Sequence, residues 1–312
     1  MLFDKLKFNF FNRQFKMSKP KNIYKERENT FISKLFNEQK EKKILFLQTQ
    51  IGRGGAKWLI DILNTINSIT AFGERNAKEE SFYRYCRSHN IYDFDEKFLN
   101  LIKSEIISDW KTSNVSLISS PYFSHGIDYL YEELSPKKII ILLPSAKRLM
   151  ASFKNKGWYK KNLKIDIRKY QNLPKDFAKQ ENHFYGRMIN FGDYNLKFNT
   201  LTQVGKISLF ISTTLKKIYH QVKNFDKKKI LIFRLDEADQ NYNYCKNFIS
   251  KLDLDLKITE EEFLKLKKRT SGSYENKEIF LNKFENEDCR YYLELYSTYE
   301  NKFINEFDSK HN

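Results

Sequence analysis

The chain reads as an α/β protein: a single domain with a central parallel β-sheet flanked by helices, and a helical C-terminal region. Three observations predict this. Short apolar runs at Lys43–Gln50, Val115–Ser119, Lys138–Leu143 and Lys229–Leu235 have the length and continuity of strands buried on both faces. Segments with helical spacing lie between them, the alternation that builds a parallel sheet. The first run opens into Ile51-Gly52-Arg53-Gly54-Gly55, and Trp58, Leu59, Ile62 and Leu63 then recur at helical spacing, giving strand, glycine turn and helix in succession.

Taken in order, residues 1–41 form a basic, aromatic N-terminal arm carrying Phe3, Phe8, Phe10, Phe11 and Phe15. An arm of this composition can meet anionic lipid or pack on the domain as a lead-in. The α/β domain is expected over 42–312. Helical patterns at Ser81–Ser88 and Glu96–Trp110 separate the first two strands. Gly126–Leu134 precedes the third, Ala146–Asn155 follows it, and Leu209–Val222 precedes the fourth. Residues 160–205 carry no regular pattern and are expected to be an insertion or a functional lid. Asn241–Leu252, Glu260–Lys268 and Glu285–Phe307 read as helices, with 285–312 closing the chain.

With 312 residues the chain is large for one domain and small for two, and 40% hydrophobic residues suffice for a sizeable core. The 56 Lys and Arg against 39 Asp and Glu leave a net charge of +17, a surface that attracts polyanions or phosphorylated small molecules. No helix-turn-helix, zinc-finger or RNA-binding signature accompanies it, so no specific nucleic-acid partner is expected. Cys86, Cys245 and Cys289 are far apart and odd in number, which supports neither a zinc site nor a disulfide framework. A reducing, cytoplasmic setting is expected, with peripheral membrane contact through 1–41 as an option, and no metal.

The glycine turn is the strongest chemical signal. Ligands of open α/β sheets bind beyond the carboxyl ends of the strands, where this turn lies. Glycines let the backbone approach an anion, and the amides and dipole of the next helix's N-terminus point at it. Arg53 and Lys57 add charge, Arg53 as a planar fork and Lys57 as a point charge. The spacing differs from the triphosphate loop G-x-x-x-x-G-K-[ST], and Trp58 stands where that loop needs a hydroxyl.

Gly52-Arg53-Gly54-Gly55-Ala56-Lys57-Trp58-Leu59 resembles the loop of sulfotransferases that use 3′-phosphoadenosine 5′-phosphosulfate. Lys138–Tyr159 resembles the same family's strand–turn–helix. Ser152 matches its serine, and Pro144 stands where the family has an arginine, with Lys147 and Arg148 as neighbouring cations. Weaker matches come in family order at Ser119-Ser120-Pro121-Tyr122, at Leu231–Glu237 and at Lys268–Tyr274. The resemblance spans about 43–275. It implies that the donor's 5′-phosphosulfate is held at Gly52, Arg53, Gly54, Gly55, Ala56, Lys57 and Trp58. It also implies that the 3′-phosphate is held by Lys147, Arg148 and Ser152, with Arg269, Ser271, Gly272, Ser273 and Tyr274 in a late closing loop.

Arg53 would then assist the leaving phosphate, and Glu74 or His125 would serve as the general base. Glu79 and Glu80 rank below them because they fall on a helix. Trp58, Trp158 and Tyr159 are available as an adenine clamp. The activity implied is sulfuryl transfer to a hydroxyl or amine of a glycan, lipid or small metabolite. Two further readings stand beside it: a non-catalytic nucleotide- or anion-binding member of the fold, and a binder of polyanions or anionic membrane.

Overall fold

The computed structural model describes residues 22–53, 55–160, 185–239, 241–271 and 283–308. The described elements, in chain order, begin with α1 Asn22–Lys40, β1 Ile44–Thr49, α2 Ala56–Leu63, β2 Ile69–Gly73, α3 Ala77–Ser88 and α4 Asp95–Trp110. They continue with β3 Val115–Ser120, a 3₁₀ turn at Pro121–His125, α5 Ile127–Leu134, β4 Lys138–Leu143, α6 Ala146–Asn155 and the single turn α7 Asn195–Phe198. The last are α8 Gln203–Val222, β5 Ile230–Arg234, the short α9 Leu235–Ala238, α10 Tyr242–Ser250, α11 Glu260–Ser271 and α12 Lys283–Phe307.

The five strands form one sheet in the order β2-β3-β1-β4-β5, and every pairing is parallel. The α/β class with a parallel sheet and a helical C-terminus is therefore as the sequence predicts. Strand side chains alternate between two cores, as the two-residue period of a strand requires. Leu45 and Leu47 of β1 and Ile139 and Ile141 of β4 join a larger core with α3–α6, α8 and α12. Phe46, Ile140, Leu142 and Phe233 face a smaller one with α2, α10 and α11. Apolar residues on both faces explain why these strands read as unbroken runs.

Two differences from the sequence reading have physical causes. β2 gave no run because it is a five-residue edge strand: only Ile69 and Ala71 are buried, while Phe72 is 46% exposed with the Arg75 guanidinium over its ring. α8 starts at Gln203, not Leu209, because Thr202 caps it, its hydroxyl accepting from Gly205 N at 3.0 Å. Gly205 and Ser208, both weak helix formers, had masked that start. The described part of the N-terminal arm is the helix α1. It packs on α4, with Phe36 fully buried and stacked on Trp110 at 5.5 Å. Of the 160–205 insertion, 161–184 lie outside the described residues; what is described forms short turns leading into α8.

Candidate functional site

The sheet has a point where neighbouring strands send their helices to opposite faces. β1 is followed by α2 on the smaller core and β4 by α6 on the larger one, while β1 and β4 are paired. The crevice at their carboxyl ends is where such sheets take ligands. The glycine turn sits over it. Gly52 has φ +122°, Arg53 +55° and Gly55 +79°. A Cβ at Gly52 would lie 3.3 Å from Phe153, and one at Gly55 would lie 2.7 Å from Leu235. Both glycines are thus needed for backbone conformation and for close approach. Arg53 adopts the left-handed conformation without that freedom, a strain of about 1–2 kcal/mol. Its Nε donates to Ser152 Oγ at 3.0 Å, tying the turn after β1 to the helix after β4. Two residues that the sequence reading placed in separate motifs are therefore brought together.

Glu74 directly follows β2. It too is left-handed, at φ +52°, and its N–H donates to Ser119 O at 3.1 Å. The residue as a whole is exposed, yet the protein crowding its carboxyl raises the proton affinity above the usual carboxylate range, and the Arg53 charge pulls it partly back. Arg53 and Glu74 thus share one electrostatic environment.

Behind Glu74 lies Glu80, which is 1% exposed. Burial pushes its carboxyl up to about 8. Hydrogen bonds from Ser120 and from Asn76 N oppose that shift, and the charges of Glu74 and Glu105 add to it. Oε1 accepts from Asn76 N at 3.1 Å, whereas Oε2 has no hydrogen-bond partner. The sequence ranks Glu80 below Glu74 and His125 because it falls on a helix; its burial is what the structure adds.

A carboxyl whose pKa rises on folding stabilises the fold while it is protonated. That contribution is lost as pH climbs from about 4.5 through about 8, by about 1.4 kcal/mol per unit. Glu80→Gln is therefore expected to gain stability relative to wild type between pH 6 and 9, reaching a few kcal/mol. Melting temperatures across that range check it; parallel curves for the two proteins would contradict it.

The other candidates occupy different surroundings. His125 ends the 3₁₀ turn, 4% exposed, with Nδ1 at 3.2 Å from Ser124 Oγ. Burial, then the charges of Arg84, Lys217 and His89, hold it neutral, well below the usual histidine range. Lys57 is exposed and paired with Asp61 at 2.7 Å, one turn along α2. Trp58 is 5% exposed, its ring against Phe263 and Phe233 at 5.5 and 6.0 Å. Trp158 and Tyr159 are buried in the larger core, packed on Phe210.

Lys147 is exposed on the first turn of α6. Arg148, beside it, pairs with Asp236 at 3.3 Å and with Asp239. Ser152 is 5% exposed. Arg269 and Ser271 lie in α11 with their side chains outside the described residues. Gly54, Gly272, Ser273 and Tyr274 lie wholly outside them.

Beneath the turn, several buried polar atoms make no hydrogen bond within the protein. They include Thr49 Oγ1 and Gln50 Oε1 at the end of β1 and Ser119 Oγ at the end of β3, besides Glu80 Oε2. Each such atom costs about 1–3 kcal/mol unless water or a ligand meets it. Of these, the Thr49 and Ser119 hydroxyls can donate to a ligand oxygen, whereas Gln50 Oε1 can only accept. The signal was present in the sequence: Gln48-Thr49-Gln50 ends an otherwise apolar strand. Among the described residues no cluster of three or more His, Cys, Asp or Glu is arranged to hold a metal. No described helix is long and apolar enough to cross a membrane.

No protein-family model matches the chain, and no curated protein matches it. Among solved structures, the chain is similar to the sulfotransferase domain from the Synechococcus PCC 7002 olefin synthase. Identity is 10% and the TM-score 0.40, with 82% of this chain and 94% of that domain covered. So distant a likeness carries no functional weight, and the function is argued from the residues themselves.

Proposed function

We propose that the chain is a sulfotransferase that takes a sulfuryl group from 3′-phosphoadenosine 5′-phosphosulfate to a hydroxyl or amine of a glycan, lipid or small metabolite. The observation that carries this reading is Arg53: a strained, left-handed residue at the switch point, bonded across the crevice to Ser152 and electrostatically coupled to Glu74. Strain of this kind survives where a function requires it.

The residues present fit the phosphosulfate end of the donor. The N-terminus of α2 begins at Gly55 with no side-chain cap, so its first amides are available to phosphate oxygens. The buried hydroxyls of Thr49 and Ser119, with no partner inside the protein, lie at the carboxyl ends of β1 and β3. The donor supplies an activated sulfur–oxygen bond. Arg53 and the α2 amides stabilise the charge that grows on the leaving phosphate as that bond breaks and the acceptor's bond to sulfur forms. Glu74 accepts the acceptor's proton, so the carboxylate becomes a carboxylic acid as the phosphate leaves with its electron pair. Glu74 is favoured over His125 as base because the Arg53 charge is felt at its carboxyl, whereas the groups acting on His125 are Ser124, Arg84, Lys217 and His89.

The test is to incubate the full chain with the donor, without and with pooled glycan and small-metabolite acceptors, and to follow adenosine 3′,5′-bisphosphate by chromatography. Release above the protein-free rate is expected, and more of it with an acceptor. No release with either would exclude turnover. The pairing of Arg148 with Asp236 and Asp239 favours a second reading, a nucleotide-binding member without turnover, which predicts binding of the bisphosphate but no release.

A further inference from the structure

Two helix N-termini face the crevice, and they differ in kind. That of α2 is uncapped by any side chain. That of α6 already meets an anion from within the chain at its N-cap amide. Ser145, its N-cap residue, provides no side-chain cap of its own, and its N–H donates to Asp236 Oδ2 at 2.7 Å. Arg148 in the first turn pairs with Asp236 at 3.3 Å and with Asp239. The loop before α6 is also pinned, since Tyr296 Oη donates to Pro144 O at 2.5 Å. Asp236 belongs to α9, immediately after β5, so the sheet's own edge strand delivers the carboxylate.

Arg148 thus meets two carboxylates, with Lys147 exposed beside it, and the Ser145 amide is already bonded to one of them. An incoming phosphate would have to displace Asp236 and would meet the charge of Asp239.

We propose that Asp236 stands in place of a ligand phosphate at α6, so that the nucleotide is held by its 5′-phosphate end at the glycine turn and a 3′-phosphate adds no affinity. This rests on the sulfotransferase reading of the same crevice and widens its donor class: adenosine 5′-phosphosulfate, lacking the 3′-phosphate, serves as well. The pairing of Arg148 with Asp236 and Asp239 departs from what the resemblance implies for that residue.

The test is calorimetric titration of the full chain with adenosine 5′-monophosphate and with adenosine 3′,5′-bisphosphate. The two dissociation constants are expected to agree within about threefold in wild type. Asp236→Asn keeps an oxygen for the Ser145 amide but removes the charge. It should tighten the bisphosphate at least fivefold and leave the monophosphate unchanged; Asp239→Asn should act in the same direction. A tenfold preference for the bisphosphate in wild type overturns the inference, as does the absence of any gain in both variants. Binding of neither nucleotide to any of the three proteins overturns the sulfotransferase reading itself, which the first two results leave standing.

Discussion

Arg53→Ala is expected to lower the rate of sulfuryl transfer by about 10²–10³-fold, the usual effect of removing one preorganised donor from developing charge. The side chain leaves a turn that stays in place, because Gly52 and Gly55 set its path and Ser152 is held in α6. Arg53→Gly should lose as much activity. It should nevertheless be more stable than Arg53→Ala by about 1 kcal/mol, since only glycine adopts φ near +55° without strain. In a domain of this size that is a difference of a few degrees in melting temperature. Measured together, rate and melting temperature separate the two roles. A wild-type rate in either variant would remove Arg53 from the chemistry, and equal stability of the two would remove the strain argument.

Glu74→Gln is expected to cost about 10²–10⁴-fold in turnover, the range of general-base assistance, while leaving nucleotide affinity nearly unchanged. The pH profile adds a check that a structural role would not satisfy. A base must be deprotonated to act, and crowding raises this carboxyl's affinity for its proton. Turnover should therefore rise with pH through a value above the ordinary carboxylate range. That rising limb should disappear in Glu74→Gln. His125→Ala should reduce stability through the cavity it leaves in a packed region, with turnover falling less than in Glu74→Gln. The reverse order of the two turnover effects would move the base to His125.

The sheet was legible in the sequence wherever a strand is buried on both faces. β1, β3, β4 and β5 each appear as an apolar run within one or two residues of their ends, because a doubly covered strand has no polar side to hide it. β2 escaped notice because one of its sides is open at the sheet edge. For the site, the glycine turn was readable, since positive φ beside a strand leaves a compositional mark. The Arg53–Ser152 bond was not, because the two residues lie 99 positions apart and only the β1–β4 pairing joins them. The burial of Glu80 was hidden for the same reason: helical spacing places a carboxylate on a face but does not say that Ser120 and Asn76 will hydrogen-bond it. Asp236 lies in the weakly matching segment Leu231–Glu237, and nothing local marks it as the acceptor for the N-cap amide of a helix about ninety residues earlier.

The most direct measurement is thermal unfolding of the wild-type chain and of Arg53→Ala, each with and without excess adenosine 3′,5′-bisphosphate. At about 100 times its dissociation constant the ligand should stabilise the wild type by about 2.7 kcal/mol, a rise of several degrees, and Arg53→Ala should lose most of that rise. No shift in the wild type at millimolar ligand, or an equal shift in both proteins, would contradict a nucleotide held at the glycine turn.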